Sequence, residues 1–522
     1  MTDSATPRNI AEAFTARARL TPEAPAVIEE SRAVSYGALE AAIGRAGRRF
    51  SGLGWGRGDV VGIALERAPA ALHLAATLAL ARIGAIQLLL SPHEVASGEA
   101  GALLRRHRAA GTVIDLPLTD GDGIPSTGVD RQWLDPAAPA PGPVPPAIGG
   151  DLPWLVARSS GTTGDPKAFA VTHDMEFARQ RTKPGTLVLA PGERAMIMVG
   201  LGFTMGLRWA LWFLWDGGVL VALPRSGRPE AMLDAIDRHR VSYLVGTPSH
   251  LPVLLKGADG FDGPRLPRLR TLGVGSAALA PSLVRETTRR LSPNLHNFYG
   301  ANEAWSIAVA TPELLRRHPD TAGRVSPGVA LEIIDKHGRR VAPGVTGEVR
   351  MRSPGMIDGY IDDPQATAQH FREGWFHPGD AATMTVDGLL FLKGRTDEMM
   401  NFGGILVSPA EIERVVLMHP GIAEAAAFAV PSRSHGDIPL VAVTAAAAID
   451  AEALLAHCRG RLGMRAPVKV IQVDVLPRNA IGKVLRRRLA EIVRDEIGGA
   501  RPPARSSGDA TSDPEPPRRG GP

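Results

Sequence analysis

Arg158-Ser159-Ser160-Gly161-Thr162-Thr163-Gly164-Asp165-Pro166-Lys167 gathers hydroxyls, two glycines and a cation within ten residues. Such a stretch can turn its backbone N–H groups around an anion and add hydroxyl donors on both sides, with the Lys167 charge at its exit. It is not the common nucleotide loop GxxxxGK[ST]: only two residues separate Gly161 from Gly164, and Ala168 follows Lys167. A plain Ser/Thr/Gly turn between two strands fits the stretch equally well. Farther along, Tyr299-Gly300-Ala301-Asn302-Glu303 combines an aromatic that can stack a base, a glycine that permits close approach and a carboxylate that can hold a metal ion. Phe203 to Trp215 concentrates Phe and Trp at near-helical spacing in a chain with 5% aromatics. It reads as a buried helix or as the wall of an apolar substrate pocket. Arg208 inside it either snorkels or meets an anionic group on a substrate.

The elements that must position these residues alternate. Helical periodicity at Tyr36 to Phe50 and Pro69 to Ala81 interleaves with apolar strands at Val60 to Ala64 and Ala85 to Leu90. This is βαβ material and predicts a parallel sheet that binds ligands at the carboxyl ends of its strands. Residues 116 to 153 are rich in Pro, Gly, Asp and Ala and read as a surface connection. They lead to a strand at Leu152 to Ala157, the glycine-rich loop and a helix starting at Val171-Thr172-His173, a strand–loop–helix context. Strands are predicted again at Val241 to Val245, Leu269 to Val274 and His296 to Phe298. Residues 323 to 395 turn to Gly, charged residues and short β-like runs. After Asp397 a compact unit follows: helix 408–418, strand 424–430, helix 451–462 and strand 468–475.

At 522 residues, 44% apolar and 22% charged, the chain reads as a soluble globular protein of more than one domain. A net charge of +5, from 59 basic and 54 acidic residues, gives little reason to expect nucleic acid as a partner. The single cysteine, Cys458, has no partner for an intramolecular disulfide, which fits a reducing compartment, and it reads as a small buried residue. No secretion-type apolar run opens the chain and no stretch reaches the roughly 18 apolar residues of a membrane helix, so a cytoplasmic location is expected.

Taken in order, the loop, Tyr299 to Glu303, Gly374-Trp375-Phe376-His377-Pro378-Gly379-Asp380, Gly394-Arg395-Thr396-Asp397 and Pro477-Arg478-Asn479-Ala480-Ile481-Gly482-Lys483 carry a resemblance. From about residue 10 to 490 the chain resembles the adenylate-forming superfamily of acyl-CoA synthetases, nonribosomal peptide adenylation domains and firefly-type luciferases. The resemblance implies an α/β fold. Residues 1–396 would form a large N-terminal domain of parallel-rich sheets flanked by helices, and 397–497 a small mobile α+β domain. Residues 498–522 would be a disordered tail, too polar and too rich in Pro and Gly to pack. The implied chemistry joins a carboxylic acid to the α-phosphate of ATP, with release of pyrophosphate, and then passes the acyl group to a thiol.

Residue by residue, the resemblance assigns Ser159, Ser160, Gly161, Thr162, Thr163, Gly164 and Lys167 to the departing phosphates. It assigns Ser276, Ala277, Tyr299 and Gly300 to the nucleotide, with Tyr299 against adenine, and Asp380 and Arg395 to the ribose hydroxyls. Glu303 matches a Mg2+ ligand and Lys483 the lysine that bridges carboxylate and α-phosphate; Asn302 joins them as a catalytic candidate. Phe203, Arg208 and Gly275 fall to the acyl pocket, Gly403 and Gly404 to the tunnel of a pantetheine thiol, and Asp397 to a hinge between two working orientations of the small domain. The chain departs from the family at Asn302, usually threonine, at Ala168, usually glycine, and at Ser276, Pro378 and Phe203.

The Gly403-Gly404 pair is more like acyl-CoA synthetases than amino-acid adenylation domains, so CoA is the expected acceptor and an acyl carrier protein the alternative. A third reading, from another class, is a catalytically degenerate nucleotide-binding protein, prompted by Asn302 and the other departures. ATP, Mg2+ and CoA are the implied cofactors and a small carboxylic acid the partner.

Overall fold

The computed structural model describes residues 8–497 except 31, 119, 122, 140–148, 160–165, 184–188, 225–226, 404, 433–435 and 479–483. The predicted tail therefore lies outside the described residues. Four sheets organise the described residues. The first runs in the order Ser126–Thr127, Gly111–Ile114, Val60–Ala64, Ile86–Leu89, Pro153–Arg158, Ala168–Thr172, parallel throughout except at the last pair. The second has nine strands, with an interior run from Leu295–Ala301 through Thr271–Gly275, Tyr243–Gly246, Arg194–Ile197 and Val219–Val221 to Pro25–Glu29 that is parallel, and antiparallel pairs at both edges.

Helices Ala70–Ile83 and Thr204–Trp215 explain how these two sheets share a core. Every residue from Ala71 to Ile83 is buried, as a helix that is apolar on all faces must be. Gly84, with a φ of 80°, ends it in the left-handed conformation that favours glycine. Its side chains join Val61 and Ile63 of the first sheet to Ala195, Ile197 and Leu220 of the second in one continuous core. Trp209, Trp212 and Phe213 of the aromatic helix complete it.

The context of the glycine-rich loop differs from the sequence reading. The loop is followed by a strand, Ala168–Thr172, which pairs antiparallel with Pro153–Arg158; only then does helix His173–Arg181 begin, capped by Thr172. Phe169 and Val171 bury their side chains and so select extended structure here. The loop is thus a hairpin connection, and the positive end of the helix lies beyond it.

Residues 330–395 form a third sheet whose pairs are all antiparallel, built on Gly347–Arg352, Asp380–Met384 and Leu390–Arg395. The fourth sheet belongs to residues after Met400. The sequence reading misses its longest pairing partner, Gly436–Ala445, which runs beside Ile422–Ser432. Alternation decides the packing. Ala427, Val441 and Val443 face helices Pro409–Val416 and Ala451–Leu462, while Ala426, Phe428, Leu440 and Ala442 face helix Arg486–Ile497. Cys458 is buried in the former layer, as its sequence context predicts.

Candidate active site

Strands Leu295–Ala301 and Trp305–Ala310 are joined by Asn302, Glu303 and Ala304, and the register shifts between Tyr299 and Gly300. A Cβ on Gly300 would lie 2.3 Å from the Trp305 carbonyl oxygen, so glycine is required where the two strands pinch together. The pinch sends Tyr299 to one side of the turn and Glu303 to the other. Tyr299 donates its phenol proton to Asp380 Oδ2 at 2.5 Å. Arg395, on the strand beside Asp380, approaches Asp380 Oδ1 at 3.5 Å and bonds both carboxylate oxygens of Asp397 at 3.0 Å. Its third contact is the Pro378 carbonyl. Burial, and then the Asp380 carboxylate, hold the Tyr299 phenol well above its usual range, so it remains a donor. Three of the five motifs therefore meet here.

The other side of the turn is more enclosed. Glu303 is 6% exposed and accepts a hydrogen bond at 3.0 Å from the Tyr360 hydroxyl. Burial pushes the carboxyl up, against the pull of Tyr360, Arg179 and Lys167. Lys167 Nζ lies 2.9 Å from His370 Nε2 and 5.4 Å from the centre of the Tyr360 ring. His370 Nδ1 donates to the His377 carbonyl, which leaves Nε2 as an acceptor for the lysine; burial and then Lys167 keep the imidazole neutral by lowering its pKa. Glu303 suits Mg2+, which binds one or two carboxylates and completes its shell with waters and substrate phosphates. Among the described residues no group of three or more His, Cys, Asp or Glu could form a metal cage of its own. Lys167, Tyr299, Asp380 and Arg395 thus place two cations, an aromatic ring and a carboxylate around this turn.

Ser159 and Lys167 close the mouth of the hairpin: Ser159 N–H donates to the Lys167 carbonyl at 2.9 Å and Lys167 N–H to Ser159 Oγ at 3.2 Å. Arg158, at the root, is held by the Glu94 carboxylate and the Leu89 carbonyl, and Asn302 Nδ2 reaches the Arg158 carbonyl at 3.4 Å. Ser160, Gly161, Thr162, Thr163 and Gly164 lie outside the described residues, as do Gly404 and Lys483. The chain flanking Lys483 is pinned by the Leu485 N–H bond to the Pro477 carbonyl and by Arg486, which bonds Glu398 at 3.0 Å and Glu413 at 2.8 Å.

Phe203 stands at the start of the aromatic helix, and Gly275, Ser276 and Ala277 at the end of strand Thr271–Gly275. Ser276 is exposed with a φ of 71°, and its Oγ lies 3.2 Å from Met205 Sδ. A Cβ on Gly275 would stand 2.9 Å from the Phe298 carbonyl oxygen, and Trp209 packs on the Phe298 ring at 5.8 Å. Arg208 does not join them. It is fully buried, donates from Nε to Glu176 Oε1 at 3.0 Å and lies 3.7 Å over the Trp305 ring. It does not snorkel to the surface, and its counter-charge in the structure is Glu176. Gly403 is exposed with a φ of 57°, a backbone conformation that favours glycine. Tyr360, His370, Arg179 and Glu176 escaped the sequence reading because no local pattern marks them.

Parallel-cored sheets sharing one helical layer, an antiparallel sheet and a separate small unit define the architecture of the adenylate-forming enzymes, as in the crystal structure of ATP-bound MatB from Rhodopseudomonas palustris. That structure superposes with a TM-score of 0.83 at 26% identity over 94% of this chain and 100% of its own. The chain belongs to the AMP-binding enzyme family: the family model matches residues 14–361, and that of the AMP-binding enzyme C-terminal domain matches 411–483. Among curated relatives, an indoleacetate–CoA ligase of Aromatoleum aromaticum is 30% identical over 73% of this chain and 75% of its own length. A 3-hydroxybenzoate–CoA ligase of an Aromatoleum species is 28% identical over 90% and 94%. Among the described residues no helix is long and apolar enough to cross a membrane.

Proposed function

We propose that this enzyme is an AMP-forming acid–thiol ligase. A carboxylate oxygen attacks the α-phosphorus of ATP, the bond to the bridging oxygen breaks, and pyrophosphate leaves. The sulfur of CoA then attacks the acyl carbon of the adenylate; the carbon–oxygen bond to phosphate breaks, AMP leaves, and the thiol proton passes to solvent. The observation that carries this reading is the convergence at one turn of a Tyr299–Asp380–Arg395 cluster and a Glu303–Tyr360–Lys167 cluster drawn from distant stretches of chain. The family's CoA ligases support it.

In this reading Asp380 accepts from the ribose hydroxyls, Tyr299 flanks the base and Lys167 balances charge as pyrophosphate departs. Mg2+ on Glu303 would neutralise phosphate charge in the first half-reaction. Asn302, tied to the loop root, orients the hairpin beside the α-phosphate. Lys483 would bring the carboxylate and α-phosphate together, and the 397–497 domain would turn at Asp397 to offer Gly403 and Gly404 to the thiol. Phe203, Met205 and Phe298, partly buried against the core around the aromatic helix, support a flat apolar acid such as an aryl or arylacetic acid, in keeping with the relatives' names. The single cysteine and the co-substrates support a cytoplasmic location.

ATP–pyrophosphate exchange across a panel of aryl, aliphatic and dicarboxylic acids tests the reading, followed by offering CoA or a phosphopantetheinylated carrier protein to the best acid. Exchange with an aryl acid and consumption of CoA are expected. Consumption of the carrier alone would move the assignment to a loading enzyme. ATP binding without exchange for any acid would mean a degenerate nucleotide-binding protein.

A further inference from the structure

Helix His173–Arg181 follows directly from the second strand of the phosphate hairpin and carries Arg179, which is fully buried. Its Nε donates to the Gly355 carbonyl at 2.6 Å and its Nη2 to the Glu303 carbonyl at 2.9 Å. That second carbonyl also accepts from Ile357 N–H at 3.1 Å. Ser353 Oγ donates to the Ala304 carbonyl at 2.8 Å, and Ile361 N–H to the Ala168 carbonyl at 2.7 Å. The segment from Ser353 to Ile361 is therefore a strap laced to the Glu303 turn at one end and to the hairpin at the other. Tyr360, the donor to Glu303, is part of it. Gly355 adopts a φ of 73°, and a Cβ there would lie 2.4 Å from the Met175 carbonyl oxygen and 2.8 Å from Arg179 Cγ, so helix and strap touch through backbone. One planar guanidinium fixes the turn and the strap at once, a two-carbonyl geometry that a lysine cannot reproduce.

We propose that Arg179 is a positioning residue for metal-bound ATP: by bridging the Glu303 and Gly355 carbonyls it sets the Glu303 carboxylate and the Tyr360 hydroxyl relative to the phosphate hairpin. This rests on the reading of Glu303 as the Mg2+ ligand. Arg179 acts through the two carbonyls it holds at the metal and phosphate end, while the residues assigned to the acyl pocket, Phe203 and Gly275, stand on other elements.

Mn2+ titrated into the intact enzyme with an α,β-methylene ATP analogue, followed by electron paramagnetic resonance, provides a readout apart from turnover. Arg179→Met should weaken Mn2+ binding by about tenfold or more, as loss of outer-sphere support does. Binding of the analogue without metal, and the KM for the acid, should change less than about twofold. Arg179→Lys should fall between the two, and it decides by the same comparison should the methionine variant not fold. Wild-type Mn2+ affinity in these variants, with Glu303→Gln abolishing it, would overturn the positioning role and leave the metal assignment standing. Equal losses of metal-free and metal-dependent binding would reduce Arg179 to a general structural support and also overturn it. Undiminished Mn2+ binding in Glu303→Gln would sink the metal reading itself, and the positioning role with it.

Discussion

Arg208→Met separates a substrate-binding arginine from a buried counter-ion. Glu176 and Arg208 are both fully buried, and Glu176 accepts from Arg208 Nε at 3.0 Å and from Trp212 Nε1 at 2.7 Å. Removing the guanidinium leaves the carboxylate with the indole as its remaining donor, a loss on the order of 3–5 kcal/mol for a buried pair broken from one side. Stacking over Trp305, fully desolvated here, adds about 2 kcal/mol or more. Glu176→Leu should cost at least as much, because Arg208 and the buried Arg179 would then face each other without the intervening carboxylate; burial, and then Arg208, already lower the Arg179 guanidinium to about 9. Glu176→Leu with Arg208→Met should recover most of the loss, since an apolar pair of similar volume is often neutral or stabilising relative to a buried ion pair. Trp209, Trp212 and Trp305 surround the pair, so urea unfolding read by tryptophan fluorescence reports on this region. The acid panel is measured on the same variants, with kcat/KM ratios between aryl and dicarboxylic acids expected to stay within about threefold, under 1 kcal/mol. An unchanged unfolding midpoint in Arg208→Met, together with a shift in acid preference, would refute the counter-ion role and return Arg208 to the acyl pocket.

Gly300→Ala should open the pinch beside Trp305 and displace Tyr299 and Glu303 together; misplacement by about 1 Å can cost on the order of a hundredfold in rate, so ATP–pyrophosphate exchange near wild type would show the pinch to be dispensable. Burial pushes the imidazoles of His73 and His173 down to about 4. The unfolded chain therefore takes up protons first: stability is full above about 6.5 and falls toward pH 4, by up to about 3 kcal/mol per histidine. Urea midpoints at pH 7.5 and 5 measure this, and His73→Leu should remove part of the slope; a midpoint independent of pH would count against it. Lys483→Ala should abolish adenylate formation while leaving thioester formation from a supplied acyl adenylate largely intact, and Gly404→Leu should do the reverse. Equal loss of both half-reactions in either variant would defeat the two-face assignment.

The long helices and the parallel strands were legible because they are apolar runs, as with Val60–Ala64, buried on both faces, and the aromatic helix Thr204–Trp215, buried all round from Gly206 onward. Gly436–Ala445 was not, because Pro439 interrupts it and alanine carries little strand preference; its burial on both faces comes from tertiary packing against three helices. Strand Ala168–Thr172 was absorbed into a helix start because Thr172 caps the helix and the strand is only five residues long. Candidate site residues with local motifs, such as Tyr299, Glu303, Asp380 and Arg395, could be named in advance. Tyr360, His370 and Arg179 could not, since they become neighbours of Glu303 and Lys167 only when strands far apart in sequence come together. Arg208 poses the opposite difficulty. An arginine in an aromatic helix invites a functional reading, and its partner Glu176 lies 32 residues away on another helix, beyond the reach of any periodic pattern.

Arg395 divides its guanidinium between Asp380, at the proposed ribose site, and Asp397, at the proposed pivot. Two sites that draw on one cation are thermodynamically linked, and the linkage runs equally in both directions. Under the proposed rotation at Asp397, whatever factor the nucleotide contributes toward one orientation of the small domain is the factor by which that orientation tightens the nucleotide. Arg395 would then act as a shared ledger between occupancy and orientation, so that AMP departure and the return stroke of the small domain are two readings of a single equilibrium.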